Sequence, residues 1–153
     1  MKNRTKEMEI FGIQIDSLCD MVCFGVTPVI ISYQMGLNSV WGIAIEILFV
    51  LCGVIRLAYF NVLEELKHTN PETDQAKGYR GLPITTITII YPIVYLFHPL
   101  VSHETFLLFL AIMHIVVAFL YVLDFKLKNP GNSVIAAMMV LVTAVMVCIL
   151  FVE

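Results

Sequence analysis

Apolar residues run along this chain in long stretches separated by short polar punctuation. Stretches of about 20 such residues are the length needed to cross the hydrocarbon core of a bilayer as a helix. The first runs from about Gly12 to Gly36, and the turn Gly36-Leu-Asn-Ser39 leads to a second from about Val40 to Leu63. The one long polar stretch follows, EELKHTNPETDQAKGYR, from Glu64 to Arg80. A third apolar segment, Leu82 to Leu100, holds Pro83, Pro92 and Pro99 and is barely long enough; Pro92 is expected to kink it. A fourth covers about Thr105 to Leu123, and a fifth, after the loop DFKLKNPGN, covers about Ser133 to Val152. The pattern predicts an all-α fold, a polytopic membrane helix bundle of about five spans, with residues 1–153 forming one membrane domain.

Composition agrees with that pattern. The chain is 59% hydrophobic and 14% charged, with a mean hydropathy of +0.90, against about 45–50% apolar and about 25% charged in soluble domains. Charge placement then gives an orientation. Lys2, Arg4, Lys6, Lys67, Lys77, Arg80, Lys126 and Lys128 all fall on one side of a five-span arrangement, and the opposite loops hold no Lys or Arg. The positive-inside rule puts the N-terminus and the 64–81 loop in the cytoplasm of an integral cell-membrane protein. It also accounts for the scattered basic residues without nucleic-acid binding. The start, MKNRTKEME, has no secretory signal pattern. Cys19, Cys23, Cys52 and Cys148 all lie in apolar segments without a CxxC pair, and are read as small membrane-core residues.

Charged side chains inside spans are costly, about 2.5–3.5 kcal/mol each on insertion scales, and so call for an explanation. Asp16 and Asp20 are spaced i, i+4 and share a helix face, with Gly12 one turn earlier on it. Two such carboxylates repel unless a cation or proton lies between them, and hard divalent cations prefer oxygen ligands. A solvated helix end with two ordinary acids fits the spacing equally well. Arg56 either snorkels to the headgroups or contacts a phosphate or carboxylate. Asn61 lies where it could cap the second span, and Glu46 either faces a polar crevice or reaches the interface. His68, His98, His103 and His114 show no metal-ligand spacing, and His114 reads as a packed, hydrogen-bonded residue.

Gly12-x3-Asp16-x3-Asp20 resembles the second half of the signature of the CDP-alcohol phosphatidyltransferases, D-x2-D-G-x2-A-R followed by G-x3-D-x3-D. Asp16-Ser-Leu-Cys-Asp-Met-Val-Cys-Phe-Gly-Val-Thr-Pro28 is similar to the DSLAD-x3-FG-x-AP stretch of the phosphatidylserine-forming members. Arg56-Leu-Ala-Tyr-Phe-Asn61 resembles their RLARFN, with Tyr59 where Arg is common, and Tyr79-Arg-Gly-Leu-Pro83 resembles their F-x-GLP. These matches come in family order and cover about residues 6–84.

The resemblance implies phosphatidyl transfer from CDP-diacylglycerol to L-serine, with a divalent metal (Mg²⁺ or Mn²⁺) as cofactor. Asp16 and Asp20 are then metal ligands, and Asp20 is also the catalytic base. Gly12, Arg56 and Asn61 contact substrate, and the chain pairs as a homodimer in the bilayer. The first half of the motif is not found in these residues, since eleven precede Gly12 and none is Asp. The expectation is an N-terminally truncated family member, lacking two helices, with trace activity and poor stability. Transfer to another alcohol, a transporter subunit, or a non-catalytic membrane protein are the competing readings.

Overall fold

The computed structural model of the chain describes residues 6–69, 79–124, 126–127, 140, 143–144 and 147. The first apolar stretch is one continuous rod made of three pieces: α1 (Lys6–Asp20), a π-helical turn (Met21–Val26) and α2 (Thr27–Gln34). Pro28 explains the wide turn. It has no N–H to give Phe24, and its ring would press on that carbonyl in a regular α-helix. The backbone responds by adding a residue to the turn, so that the Thr27 N–H reaches back five positions to Val22 O. The Thr27 hydroxyl donates to the same oxygen at 2.9 Å. Opposite the strain, Gly25 is buried beneath the Met21 side chain, which occupies the space a Cβ would take.

A tight turn with Gly36 at φ 111 leads into α3 (Val40–Thr69). Ser39 starts that helix, its hydroxyl accepting the Gly42 N–H at 3.1 Å, the usual satisfaction of an orphan donor at a helix start. α3 runs six residues past the expected boundary at Leu63, carrying the beginning of the polar stretch as helix.

The third apolar segment departs from a single kinked span. A 3-10 turn (Ile84–Thr86), the short α4 (Ile87–Tyr95) and a second 3-10 turn (His98–Leu100) replace it. Nine helical residues rise only about 14 Å, under half of the bilayer's hydrocarbon core. The prolines are the reason: Pro83 is extended before the first turn, Pro92 removes a ladder bond inside α4, and Pro99 sits in the second turn. α5 (His103–Val122) then begins at Ser102, whose side chain accepts from Thr105 N–H.

Among the described residues, three helices are long and apolar enough to cross a membrane, Ile10–Gln34, Val40–Leu63 and His103–Val122, with Ile84–Leu100 as a shorter apolar element. The expected fifth span lies outside the described residues apart from a few helical positions. A two-residue antiparallel bridge, β1 (Tyr79–Arg80) with β2 (Lys126–Leu127), pairs Tyr79 with Leu127 and Arg80 with Lys126. It ties the segment after α3 to the segment after α5.

The core lies between α3 and α5, where Phe49, Phe106, Leu110 and Val117 are sealed, and Ile84 and Ile87 wedge in from the proline-rich segment. The outside is as apolar as the inside: Trp41 is 81% exposed and Phe119 64%. Such a surface is stable only against lipid, and packing between helices rather than release of water holds the bundle together. Cys52 is buried as expected, whereas Cys19 and Cys23 face outward on α1 and the π turn.

Candidate functional site

The paired acids sit on α1 immediately before the π turn. Asp16 is exposed and Asp20 half-buried, and the i, i+4 spacing holds both carboxylates on one face about 6 Å apart. Among the described residues, nothing lies within 4 Å of where a Cβ of Gly12, one turn earlier, would be. The face therefore stays open from Gly12 to Asp20.

Between the two acids, Ser17 donates its hydroxyl to Asn61 Oδ1 at 2.7 Å. This bond connects the GxxxDxxxD stretch to the RLAYFN stretch, 44 residues later in the chain. It also corrects the reading of Asn61 as a cap: α3 continues to Thr69, so Asn61 is an interior residue turned toward α1. Ser17 was passed over in the sequence because a serine beside two aspartates reads as a spacer. Its signal was being the one hydroxyl in that stretch.

Of the two expectations for Arg56, the structure counters snorkelling, and it sets the guanidinium within electrostatic reach of the Asp124 carboxylate. The residue is 5% exposed, so it does not snorkel to the headgroups. Its Nε donates to Leu82 O at 2.8 Å. From the other side, the Tyr121 hydroxyl donates to Ile84 O at 2.9 Å. The two carbonyls flanking Pro83 are thus held by one side chain from α3 and one from α5. Gly81 makes this approach feasible: it adopts φ 72, and a Cβ there would lie 3.0 Å from Leu123 O and 3.2 Å from the Arg56 guanidinium carbon. The GLP segment is in effect a strap across the ends of both helices. Tyr121 was not legible as a strap residue, since one tyrosine in an apolar span reads as core.

A cavity of about 170 Å³ opens beside Arg56, lined by Ile55, Tyr59, Tyr121, Leu123 and Asp124. The Tyr59 hydroxyl donates to Asp124 Oδ2 at 3.4 Å across it. Arg56 reaches this cavity while its Nε is engaged on the strap, and the Ser17–Asn61 bond lies on another face of α3.

The donor set at Asp16 and Asp20 fits a hard divalent ion in kind, being carboxylate oxygen on an open helix face. It does not complete a coordination shell. Among the described residues no group of three or more His, Cys, Asp and Glu could hold a metal ion.

The fold thus brings together apolar helices of spanning length, a pair of acids, an asparagine hydrogen-bonded to the serine beside them and a glycine-proline strap held by Arg56 and Tyr121. The chain belongs to the CDP-alcohol phosphatidyltransferase family, whose sequence model matches residues 4–122. Among curated relatives, it is 36% identical over 96 residues to the CDP-diacylglycerol–serine O-phosphatidyltransferase of Saccharomyces cerevisiae, covering 62% of this chain and 34% of that protein. It is 39% identical over 82 residues to the enzyme of that name from Helicobacter pylori (52% and 32% covered). It is 37% identical over 87 residues to the archaetidylserine synthase of Methanothermobacter thermautotrophicus (56% and 34% covered). The chain thus spans about a third of the length of these relatives. No solved structure matches it.

Proposed function

We propose that the chain takes part in transfer of a phosphatidyl group from CDP-diacylglycerol to L-serine, giving phosphatidylserine and CMP. The observation that carries this reading is the Ser17–Asn61 bond. It brings the acidic stretch and the RLAYFN stretch, both resembling the serine-specific members, to the same end of the bundle. The relatives named above all act on serine by their names.

Asp16 and Asp20 would hold a divalent ion, which supplies charge neutralisation at the diphosphate. Asp20 takes the proton from the serine hydroxyl as its oxygen bonds to the phosphorus bearing the diacylglycerol, and the bond from that phosphorus to CMP breaks. Gly12 leaves room for the nucleotide to lie along α1. Asn61, held by Ser17, offers an amide N–H₂ to substrate oxygen. Arg56 contributes guanidinium charge from the cavity wall while it holds the strap. The abundance of Lys and Arg at this end supports a cytoplasmic location for it, where CDP and serine would arrive from water while the acyl chains stay in the bilayer.

The test is Mn²⁺ and CDP-diacylglycerol binding to the full chain in nanodiscs, followed by incorporation of labelled serine into lipid. Both ligands should bind wild type and be lost in Asp16→Asn and Asp20→Asn. Unchanged binding in both variants, or incorporation of inositol phosphate or glycerol phosphate in place of serine, would overturn the reading.

A further inference from the structure

Two polar atoms are sealed inside the bundle and used by nothing described so far. Glu46 is 3% exposed and His114 is not exposed at all. Among the described residues, Glu46 Oε1 and His114 Nε2 both lack a hydrogen-bond partner. Orphaned buried polar atoms are rare because each forfeits its bonds to water, so each demands a reason.

Glu46 lies fifteen positions before Asn61 on α3, about 22 Å along the helix axis. It is far from the paired aspartates, in the opposite half of the bundle. Three contacts bring it and His114 around one point. Phe49, one turn on from Glu46 on the same face, meets the His114 ring edge-on at 4.8 Å between centroids. Tyr91 lies 6.4 Å from the same ring and within electrostatic reach of Glu46. The Tyr91 hydroxyl is itself bonded to buried Ser32 at 2.9 Å. Four elements, α2, α3, α4 and α5, therefore each send a polar side chain into an otherwise apolar interior.

The chemistry of the orphans is complementary. His114 Nδ1 is 2.8 Å from Leu110 O. A carbonyl only accepts, so Nδ1 carries the hydrogen, and a neutral ring leaves Nε2 as a bare acceptor. Glu46 Oε1 is also an acceptor when ionised. Two unpartnered acceptors gathered around the Phe49 and Tyr91 rings call for a donor of two hydrogens.

We propose that Glu46 and His114 form an internal hydration site, at which one water donates a hydrogen to His114 Nε2 and the other to Glu46 Oε1. Buried waters of this kind bridge polar groups that cannot reach each other directly. The site joins α3 to α5 one ring away from the strap, since Phe49 also packs 5.7 Å from Tyr121, and fixes the register of the two helices where apolar packing alone would allow sliding.

The test uses the full chain in lipid nanodiscs, with thermal unfolding of Glu46→Met, His114→Phe, the double variant and Glu46→Gln. Each apolar single variant strands the other group and should lower Tm by about 4 °C or more. The double variant removes both demands and should recover at least half of the summed loss. Glu46→Gln keeps an acceptor for the water and should stay near wild type. Strictly additive losses, or an apolar single variant as stable as wild type, would refute the site. A second measurement reads the water itself. In bilayers, a water-edited ¹⁵N spectrum of histidine-labelled chain should show fast transfer from water to His114 Nε2, assigned by its disappearance in His114→Phe. A dry Nε2 signal means a direct or apolar environment and overturns the proposal.

Discussion

Replacing Gly81 by alanine tests the strap with a single methyl group. Gly81 sits at φ 72, where an L-residue loses about 1–2 kcal/mol relative to glycine. The new Cβ would also stand 3.0 Å from Leu123 O and 3.2 Å from Arg56 Cζ and Nη1. Leu123 O is backbone at the end of α5, and Arg56 is held by Leu82 O, so neither neighbour moves freely. Crowding of this sort adds about 1 kcal/mol or more. The total, about 2–3 kcal/mol, corresponds to a fall in Tm of roughly 5–10 °C for a chain of this size. Thermal unfolding of the full chain in detergent, followed by intrinsic fluorescence, reads this directly. Gly81→Asn is the companion variant: asparagine tolerates the left-handed backbone but brings a larger side chain against the same neighbours. It should therefore be no better than alanine. If Gly81→Ala melted with wild type, the strap would not be closely fitted, and the account of Arg56 as its anchor would fall.

Other outcomes follow from the same geometry. Gly12→Ala meets no neighbour, so Tm should hold or rise slightly, while CDP-diacylglycerol binding weakens by about tenfold or more, about 1.4 kcal/mol. Equal binding by the variant would remove Gly12 from the site. Ser17→Ala breaks the 2.7 Å bond to Asn61 and should cost about 1 kcal/mol; a double-mutant cycle with Asn61→Ala should show the two losses to be non-additive. Arg56→Met leaves the Leu82 carbonyl without its donor and should destabilise by about 2–3 kcal/mol, and Arg56→Lys should rescue little because a lysine lacks the Nε geometry. Mn²⁺ bound at Asp16 and Asp20 should be displaced by excess Mg²⁺, since both ions prefer oxygen donors. Resistance to Mg²⁺ would point to softer ligands than these two carboxylates.

Much of this was legible in the sequence because the signals were periodic. The long apolar stretches became α1 with α2, α3 and α5, and the i, i+4 acids fell on one face as expected. His114 is packed and hydrogen-bonded, as its isolation in a span suggested. The segment from Leu82 to Leu100 was harder to read because hydropathy counts residues, whereas Pro83, Pro92 and Pro99 decide how many of them can be helical. The extension of α3 to Thr69 escaped notice because polarity was taken as the helix end, although a helix leaving a bilayer has no reason to stop at its surface. Ser17, Tyr121 and the Arg56 strap were invisible for another reason. Each is one partner in a long-range hydrogen bond, and one sequence carries no record of which carbonyl a side chain will find.

The π turn after Asp20 changes how positions on the first rod must be counted. An extra residue in one turn shifts the phase of everything beyond it by about 100° relative to an uninterrupted α-helix. Pro28 and Ser32, both buried beyond the turn, lie eleven and fifteen positions after Ser17, about 20° and 60° from it on an uninterrupted wheel, so the extra residue alters how squarely they face the bundle, not whether they do. The segment behaves like two helices spliced with one spare residue. Pro28 thus does more than bend the chain: it sets the angle at which the rod beyond the acids presents its buried residues to the bundle.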